Sequence, residues 1–112
     1  MSLKPKKSLG QNFLHDKNII SKIIHAAKIE SSDVVLEIGP GTGNLTEFIV
    51  SQKPKKIYLI EKDENLAYAL EKKYLDKIIV IKKDILKIPH EFYSGKRFLI
   101  LGNLPYLSLI HI

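Results

Sequence analysis

The chain has 112 residues, a formal net charge of +6 and no cysteine, which bounds it to about one domain without disulfides or cysteine-bound metal. Hydrophobic residues make up 45% of the sequence, yet no apolar run approaches the ~20 residues of a membrane span, and the N-terminus lacks the apolar centre of a secretory signal. We therefore expect a cytoplasmic protein whose positive charge suits nucleic acid or another anionic surface, with a merely solubilising lysine face as the alternative.

Residues 1–15 are predicted to form a basic arm, because Pro5 and Gly10 interrupt them and no hydrophobic period is visible. The positive charge is concentrated at this end, since residues 1–30 contain six lysines against two acidic residues. Asp16 is a candidate N-cap for a helix over the segment KNIISKIIHAA. An apolar stripe at helical spacing runs through that segment and consists of Ile19, Ile20, Ile23, Ile24 and Ala27.

Short apolar runs and helical patterns alternate along the rest of the chain. The runs that predict buried strands are residues 33–39, 56–61, 78–81 and 97–101. A helix is predicted from about Asn44, with Leu45, Phe48 and Ile49 inward. Another follows the candidate cap Asp63, with Leu66, Ala67, Leu70 and Tyr74 inward. This alternation predicts an α/β fold with a doubly wound parallel sheet and right-handed crossovers, truncated after the fourth strand.

The segment EIGPGTGNLT, residues 37–46, places Gly39, Gly41 and Gly43 in a turn between a predicted strand and a predicted helix. Glycine there permits positive φ angles and lets the backbone approach a ligand closely. No Gly-Lys-Ser/Thr follows, so the turn is not a P-loop, and its last gap is one residue shorter than in the dinucleotide spacing GxGxxG. The pattern therefore favours a nucleoside over a pyrophosphate and argues against an NAD-dependent dehydrogenase. An ordinary tight strand-to-helix turn is the structural alternative.

Two acidic residues follow predicted strands, at the edge where such sheets bind ligands. Glu61 lies 22 residues after Gly39, which is the usual separation for a carboxylate that accepts both ribose hydroxyls. An exposed glutamate paired with a neighbour such as Lys62 is the alternative. Asp84 follows the third predicted strand, where its carboxylate could accept the exocyclic amine of an adenine, and the alternative is a helix cap or turn.

The segment GNLPY, residues 102–106, follows the fourth predicted strand. Pro105 has a fixed φ and restricts the residue before it, so the Leu104 carbonyl is held in a set direction. Together with the Asn103 side-chain carbonyl, it forms a pair of acceptors that suits the N–H groups of an exocyclic base amine. Tyr106 offers a face on which a base can stack, worth roughly 1–3 kcal/mol. A proline turn with a core tyrosine is the alternative.

Together, EIGPGTG, Glu61, Asp84 and NLPY resemble the ordered motifs of class I S-adenosylmethionine-dependent methyltransferases. The segment LGQNFL, residues 9–14, narrows the resemblance to the ribosomal RNA adenine dimethyltransferases, the kasugamycin-susceptibility enzymes. The similarity extends from about residue 6 to residue 106. Beyond Tyr106 the chain departs from the family pattern, because LSLIHI stands where the family usually continues Asn-Ile-Ser and then a helix.

The resemblance implies a Rossmann-like enzyme that transfers methyl groups from S-adenosylmethionine to the N6 amine of adenines in small-subunit ribosomal RNA. The implied products are N6,N6-dimethyladenosine and S-adenosylhomocysteine. The implied cofactor contacts come from Asn12, Leu14, Gly39, Gly41, Glu61, Asp84 and Asn103. The implied catalytic residues around the target amine are Asn103, Leu104, Pro105 and Tyr106, and Phe13 is a further candidate for the base pocket.

The resemblance also implies how the chain is organised. Residues 1–15 would be an arm and residues 16–112 the N-terminal part of the cofactor-binding domain, without the family's C-terminal RNA-binding domain. The implied partner is small-subunit ribosomal RNA or a pre-ribosomal particle, with no membrane, and the full-length protein is expected to be a monomer. No metal is expected, since the four histidines show no metal-ligand spacing.

Two alternative functions stay open. The erythromycin-resistance methyltransferases, which modify large-subunit ribosomal RNA, have a loop more like GSGKG and a last motif more like NIPY. The GPGTG and NLPY of this chain favour the small-subunit enzymes. A non-catalytic RNA-binding fragment is the other alternative, and it would bind RNA without any dependence on a cofactor.

Overall fold

The computed structural model describes residues 17–102 together with the backbone of residues 109–111. The predicted arm, the candidate cap Asp16 and the segment from Asn103 to Tyr106 lie outside these residues. Within the described ranges, no helix is long and apolar enough to cross a membrane.

Helices and strands alternate along the described chain, and the predicted boundaries lie within two residues of the observed ones. The helices are α1 (Lys17–Ala27), α2 (Asn44–Ser51) and α3 (Glu64–Tyr74). The strands are β1 (Val34–Ile38), β2 (Lys56–Ile60), β3 (Ile79–Ile81), β4 (Leu99–Gly102) and β5 (Leu109–His111). Short 3-10 turns cover Leu75–Lys77, Ile85–Lys87 and His90–Phe92.

The strands form one sheet in the order β3-β2-β1-β4-β5. β1 pairs in parallel with β2 and β4, and β2 pairs in parallel with β3, which confirms the predicted α/β parallel fold. β5 was not predicted: it pairs antiparallel with β4 and extends the sheet beyond the four predicted strands. An antiparallel strand on the edge of a parallel sheet is common, because it pairs with main-chain groups that the outer parallel strand would leave unpaired.

The strand order determines which face of the sheet each connection covers. From β1 to β2 and from β2 to β3 the chain moves in one direction across the sheet, so right-handed crossovers place α2 and α3 on the same face. From β3 the chain returns past β2 and β1 to β4, and the same handedness places residues 82–98 on the opposite face. The sheet is therefore doubly wound, and the winding direction changes between β1 and β4.

An apolar core lies on each face of the sheet. On the helical face the predicted stripe of α1 is confirmed, since it buries Ile20, Ile24 and Ala27 against α2, α3 and alternate strand residues. The core of the opposite face consists of Leu36, Ile60, Phe98 and Ile100. Aromatic rings from the long connection close that second core, where Phe92 stacks on Phe98 with ring centroids 5.4 Å apart.

Helix α3 begins where the sequence predicts. The Asp63 side chain caps it, because Oδ1 accepts hydrogen bonds from the backbone N–H groups of Asn65 at 2.9 Å and Leu66 at 3.1 Å. Of the residues predicted to face inward, Ala67, Leu70 and Tyr74 are buried and Leu66 is half-buried. Helix α3 thereby anchors the segment Glu61–Asp63, which connects it to the end of β2, at the ligand edge of the sheet.

Candidate functional site

The carboxyl ends of the parallel strands meet at one edge of the sheet. The register pairs Ile38 with both Ile60 and Gly102, and pairs Ile60 with Ile81, so the four strands end level with one another. In open α/β sheets a ligand crevice forms outside this edge, at the point where the winding direction changes. The segments that follow β1, β2 and β3 therefore open toward a common space.

The loop after β1 has the backbone that its glycines predict. Gly39, Gly41 and Gly43 have φ angles of +65°, +60° and +92°, in the left-handed region that other residues rarely adopt. A Cβ atom at Gly43 would also lie 2.8 Å from Leu70 Cδ2, whereas one at Gly39 would meet nothing within 4 Å. Gly43 thus allows α2 to pack closely on α3, while Gly39 faces open space at the crevice.

Glu61 is held rigidly at the end of β2. Its side chain is only 7% exposed, and its Oε1 accepts a hydrogen bond from the Gly41 N–H at 3.1 Å. Its Oε2 accepts from the Asp63 N–H at 2.9 Å. The alternative of an exposed, lysine-paired glutamate is therefore wrong. Each carboxylate oxygen has two lone-pair directions, so this fixed carboxylate keeps acceptor capacity for two ligand hydroxyls.

Asp84 lies in the same cleft as Glu61 and also makes a local bond. Its Oδ1 accepts a hydrogen bond from the Leu86 N–H at 3.0 Å and so caps the turn Ile85–Lys87. The structural alternative for Asp84 is thus confirmed, and it is compatible with ligand binding because the cap engages one of the two carboxylate oxygens. The cap holds the half-buried carboxylate toward the cleft rather than leaving it free in solvent.

One cleft of about 160 Å³ brings these predicted residues together. Gly39, Glu61 and Asp84 line it, with the exposed side chains of Lys62 and Lys83 at its rim. Its remaining walls are apolar and come from Ile38, Ile60 and Ile85. Gly41 reaches the site through its bond to Glu61. Two carboxylates beside apolar walls suit a ligand that carries hydroxyl and amine donors next to a flat ring.

A second buried acid, which the sequence analysis did not single out, underlies the glycine loop. Glu37 lies in β1, is 0% exposed, and accepts a hydrogen bond from the Thr46 hydroxyl of α2 through Oε1. Its Oε2 has no hydrogen-bond partner among the described residues. Burial, reinforced by the negative charge of Glu61, raises the pKa of Glu37 to about 8 in spite of the bond from Thr46. The signal in the sequence was a lone acid inside an apolar strand.

The other predicted site residues lie outside the part of the chain that the structure describes. They are Asn12, Phe13 and Leu14 of the arm, and Asn103, Leu104, Pro105 and Tyr106 after β4. Gly102, the last described residue before that segment, ends β4 level with Ile38 of β1. The roles of these seven residues stay predictions.

Comparison with known sequences gives a consistent result. A profile of the family described as "Ribosomal RNA adenine dimethylase" matches residues 2–109. The "Ribosomal RNA small subunit methyltransferase A" of Pelagibacter ubique is 48% identical over 106 residues, which cover 95% of this chain and 40% of that protein. The protein of the same name from Maridesulfovibrio salexigens is 47% identical, covering 90% of this chain and 38% of its own length. The chain thus spans about two fifths of the length of these relatives.

Solved structures resemble the fold over most of the chain. The 23S rRNA methyltransferase ErmE superposes with a TM-score of 0.67 at 28% identity, covering 78% of this chain and 35% of that one. A dimethyladenosine transferase from Plasmodium falciparum superposes with a TM-score of 0.61 at 30% identity, covering 78% of this chain and 42% of that one. Both likenesses span only part of the longer proteins.

Proposed function

The chain belongs to the ribosomal RNA adenine dimethylase family, and from this premise we propose that it forms most of the S-adenosylmethionine site of an enzyme that dimethylates the N6 amine of adenines in small-subunit ribosomal RNA. The observation that carries the proposal is the Glu61 carboxylate. It is buried, oriented by two backbone amides and placed in one cleft with Gly39 and Asp84. This is the arrangement needed to hold a nucleoside by its ribose.

The residues of the cleft fit the cofactor. Glu61 accepts the two ribose hydroxyls with the lone pairs that Gly41 and Asp63 leave unused, and these charge-assisted bonds are stronger than neutral ones. Asp84 accepts the exocyclic amine of the adenine ring. Open space above Gly39 admits the ligand close to the backbone. When bound, S-adenosylmethionine supplies an electrophilic methyl group on its sulfonium sulfur.

The segment after β4 is proposed to hold the target base. The amine of adenine is conjugated with its ring and is a weak nucleophile, so orientation and exclusion of water matter more than a strong general base. The Asn103 side-chain carbonyl and the Leu104 backbone carbonyl accept its N–H groups, and Tyr106 stacks on the ring. After the first methylation one N–H remains, and a single acceptor then suffices to orient the amine for the second.

The proposed partner is small-subunit ribosomal RNA or a pre-ribosomal particle in the cytoplasm. Six lysines in residues 1–30 supply positive charge for phosphate contacts, which makes the affinity fall as salt rises. The target base must leave its stack to reach the cleft. We propose that residues 1–15 act as an arm, that residues 16–112 form the N-terminal part of the methyltransferase domain, and that the full-length protein is a monomer.

Modification of large-subunit RNA is the second candidate function, since the fold resembles ErmE. The sequence favours the small subunit, because relatives named for the small-subunit activity are 48% and 47% identical over nearly the whole chain. The GPGTG loop and Leu104 support the same choice. Methylation assays on the two purified ribosomal subunits, with N6,N6-dimethyladenosine measured by mass spectrometry, distinguish the two candidates.

Calorimetric titration of the chain with S-adenosylmethionine tests the cofactor site. We expect binding that weakens roughly tenfold or more in Glu61→Ala, because a desolvated, charge-assisted pair is lost. The matched control is Glu64→Ala, which removes an exposed carboxylate three residues away and should leave the affinity unchanged. Circular dichroism confirms that each variant is folded. A folded chain that does not bind S-adenosylmethionine, or that binds NAD equally well, would contradict the proposal.

A further inference from the structure

A buried hydrogen bond closes the glycine loop at its base. Glu37 on β1 and Thr46 on the first turn of α2 are both 0% exposed, and the Thr46 hydroxyl donates to Glu37 Oε1. The chain between them contains all three glycines of positive φ in this loop. The bond therefore ties together the two points where the loop leaves the strand and enters the helix.

This hydrogen bond stabilises the start of α2. Its N-cap position is Gly43, which provides no side-chain hydrogen bond to the first turn. The loop itself is held to β2 by the bond from the Gly39 N–H to the Ile60 carbonyl at 2.9 Å. The Glu37–Thr46 bond adds a link to α2, so that strand, loop and helix are joined by hydrogen bonds. A loop whose glycines permit many conformations gains the most from such a constraint.

The surroundings of Glu37 oppose a negative charge. Its strand neighbours in the register are Leu59 on β2 and Leu101 on β4, both buried and apolar. Among the described residues, the charged group that acts on Glu37 is Glu61, which repels an ionised carboxylate. Burial and this repulsion both raise the pKa of Glu37, to about 8.

We propose that Glu37 works as a neutral carboxylic acid and that, with Thr46, it is a positioning residue that holds the glycine loop in the shape that receives the cofactor. The inference rests on the proposed function and adds to it a residue pair outside the predicted cofactor contacts. If Glu37 were instead ionised and attracted a cationic ligand, replacing it with an amide would weaken binding.

Substitutions that retain or remove the bond test this role by calorimetry with S-adenosylmethionine at pH 7. Glu37→Gln retains an acceptor without charge and should bind within about threefold of the unmodified chain, as should Thr46→Ser, which retains the hydroxyl. Glu37→Ala and Thr46→Val remove the bond and should weaken binding roughly tenfold. The control Val35→Ala destabilises the same strand without touching the loop and should keep its affinity when folded.

The outcomes separate the possible roles. If Glu37→Gln weakens binding as much as Glu37→Ala, the ionised form is required and the proposal is overturned. It is equally overturned if folded Thr46→Val and Glu37→Ala bind normally, or if Val35→Ala loses affinity to the same degree as Thr46→Val. Rescue by Gln and Ser, with loss in Ala and Val, supports it.

A second measurement does not depend on the cofactor. The side-chain carboxyl carbon of Glu37, assigned by its disappearance in Glu37→Gln, is titrated by NMR in ¹³C-labelled chain. We expect the resonance of a neutral acid at pH 7. An ionised signal at that pH overturns the inference about Glu37 even if S-adenosylmethionine binds. If the signal is that of a neutral acid but the folded chain does not bind S-adenosylmethionine, the protonation state inferred for Glu37 is supported and the proposed function is refuted.

Discussion

Replacing Glu37 with glutamine should change how the stability of the protein depends on pH. The pKa of Glu37 rises from an ordinary 4.5 to about 8 on folding, chiefly because the carboxyl group is buried. Between these two pH values the folded chain holds one more proton than the unfolded chain. The protonated Glu37 therefore makes its full contribution to the free energy of unfolding below pH 4.5. This contribution falls as the pH rises and is lost above about pH 8.

The size of the effect follows from the shift. One pKa unit corresponds to somewhat more than 1 kcal/mol, so the full window is worth on the order of 5 kcal/mol. Glutamine fits the same space and accepts from Thr46 but does not titrate. Between pH 5.5 and pH 7.5 the unmodified chain should therefore lose about 2 to 3 kcal/mol of stability relative to Glu37→Gln.

Urea unfolding followed by circular dichroism at half-unit steps from pH 5 to pH 8.5 measures this difference. The matched control is Glu47→Gln, which replaces an exposed glutamate of α2 and should run parallel to the unmodified chain at every pH. The histidines are the same in all three proteins, so their titration cancels in the comparison. Parallel curves for Glu37→Gln and the unmodified chain would refute the argument, because they would mean that Glu37 is ionised in the folded protein.

Other substitutions test the packing around the site by thermal unfolding. Gly43→Ala should lower the free energy of unfolding by about 2 to 4 kcal/mol, because it combines a positive φ with a Cβ atom 2.8 Å from Leu70 Cδ2. Gly39→Ala introduces only the strain of a positive φ and should lower it by about 1 kcal/mol. Asp63→Ala removes both cap bonds of α3 and should cost about 1 kcal/mol. Tyr74→Phe should be neutral or slightly stabilising, because the buried hydroxyl has no hydrogen-bond partner among the described residues.

Each of these predictions about stability would be contradicted by a specific result. Equal losses in the two glycine variants would show that the contact with Leu70 relaxes without cost. An Asp63→Ala variant as stable as the unmodified chain, with Asp63→Asn as the cap-retaining control, would show that the cap contributes nothing. A loss above about 1 kcal/mol in Tyr74→Phe would mean that the hydroxyl makes a bond that stabilises the fold.

Much of the fold was predictable because its causes are local. The helical spacing of apolar residues in α1, the Asp63 cap and the apolar strand runs each depend on a few neighbouring residues, and the structure confirms all of them. The three glycines likewise indicated positive φ angles, which they have. The placement of Glu61 and Asp84 at one cleft was also predictable, because the carboxyl ends of neighbouring parallel strands meet at one edge.

The tertiary structure alone decided the features that depend on contacts between distant segments. No local pattern predicted that Leu109–His111 would pair with β4, or that the Glu61 carboxylate would be fixed by the Gly41 amide, 20 residues earlier in the chain. The protonation state of Glu37 is the sharpest case. An acid in an apolar strand is visible in the sequence, but its pKa depends on burial in the folded chain and on the charge of Glu61, 24 residues later. Desolvation and Coulomb repulsion act through space, and the distances that set them exist only once the chain is folded.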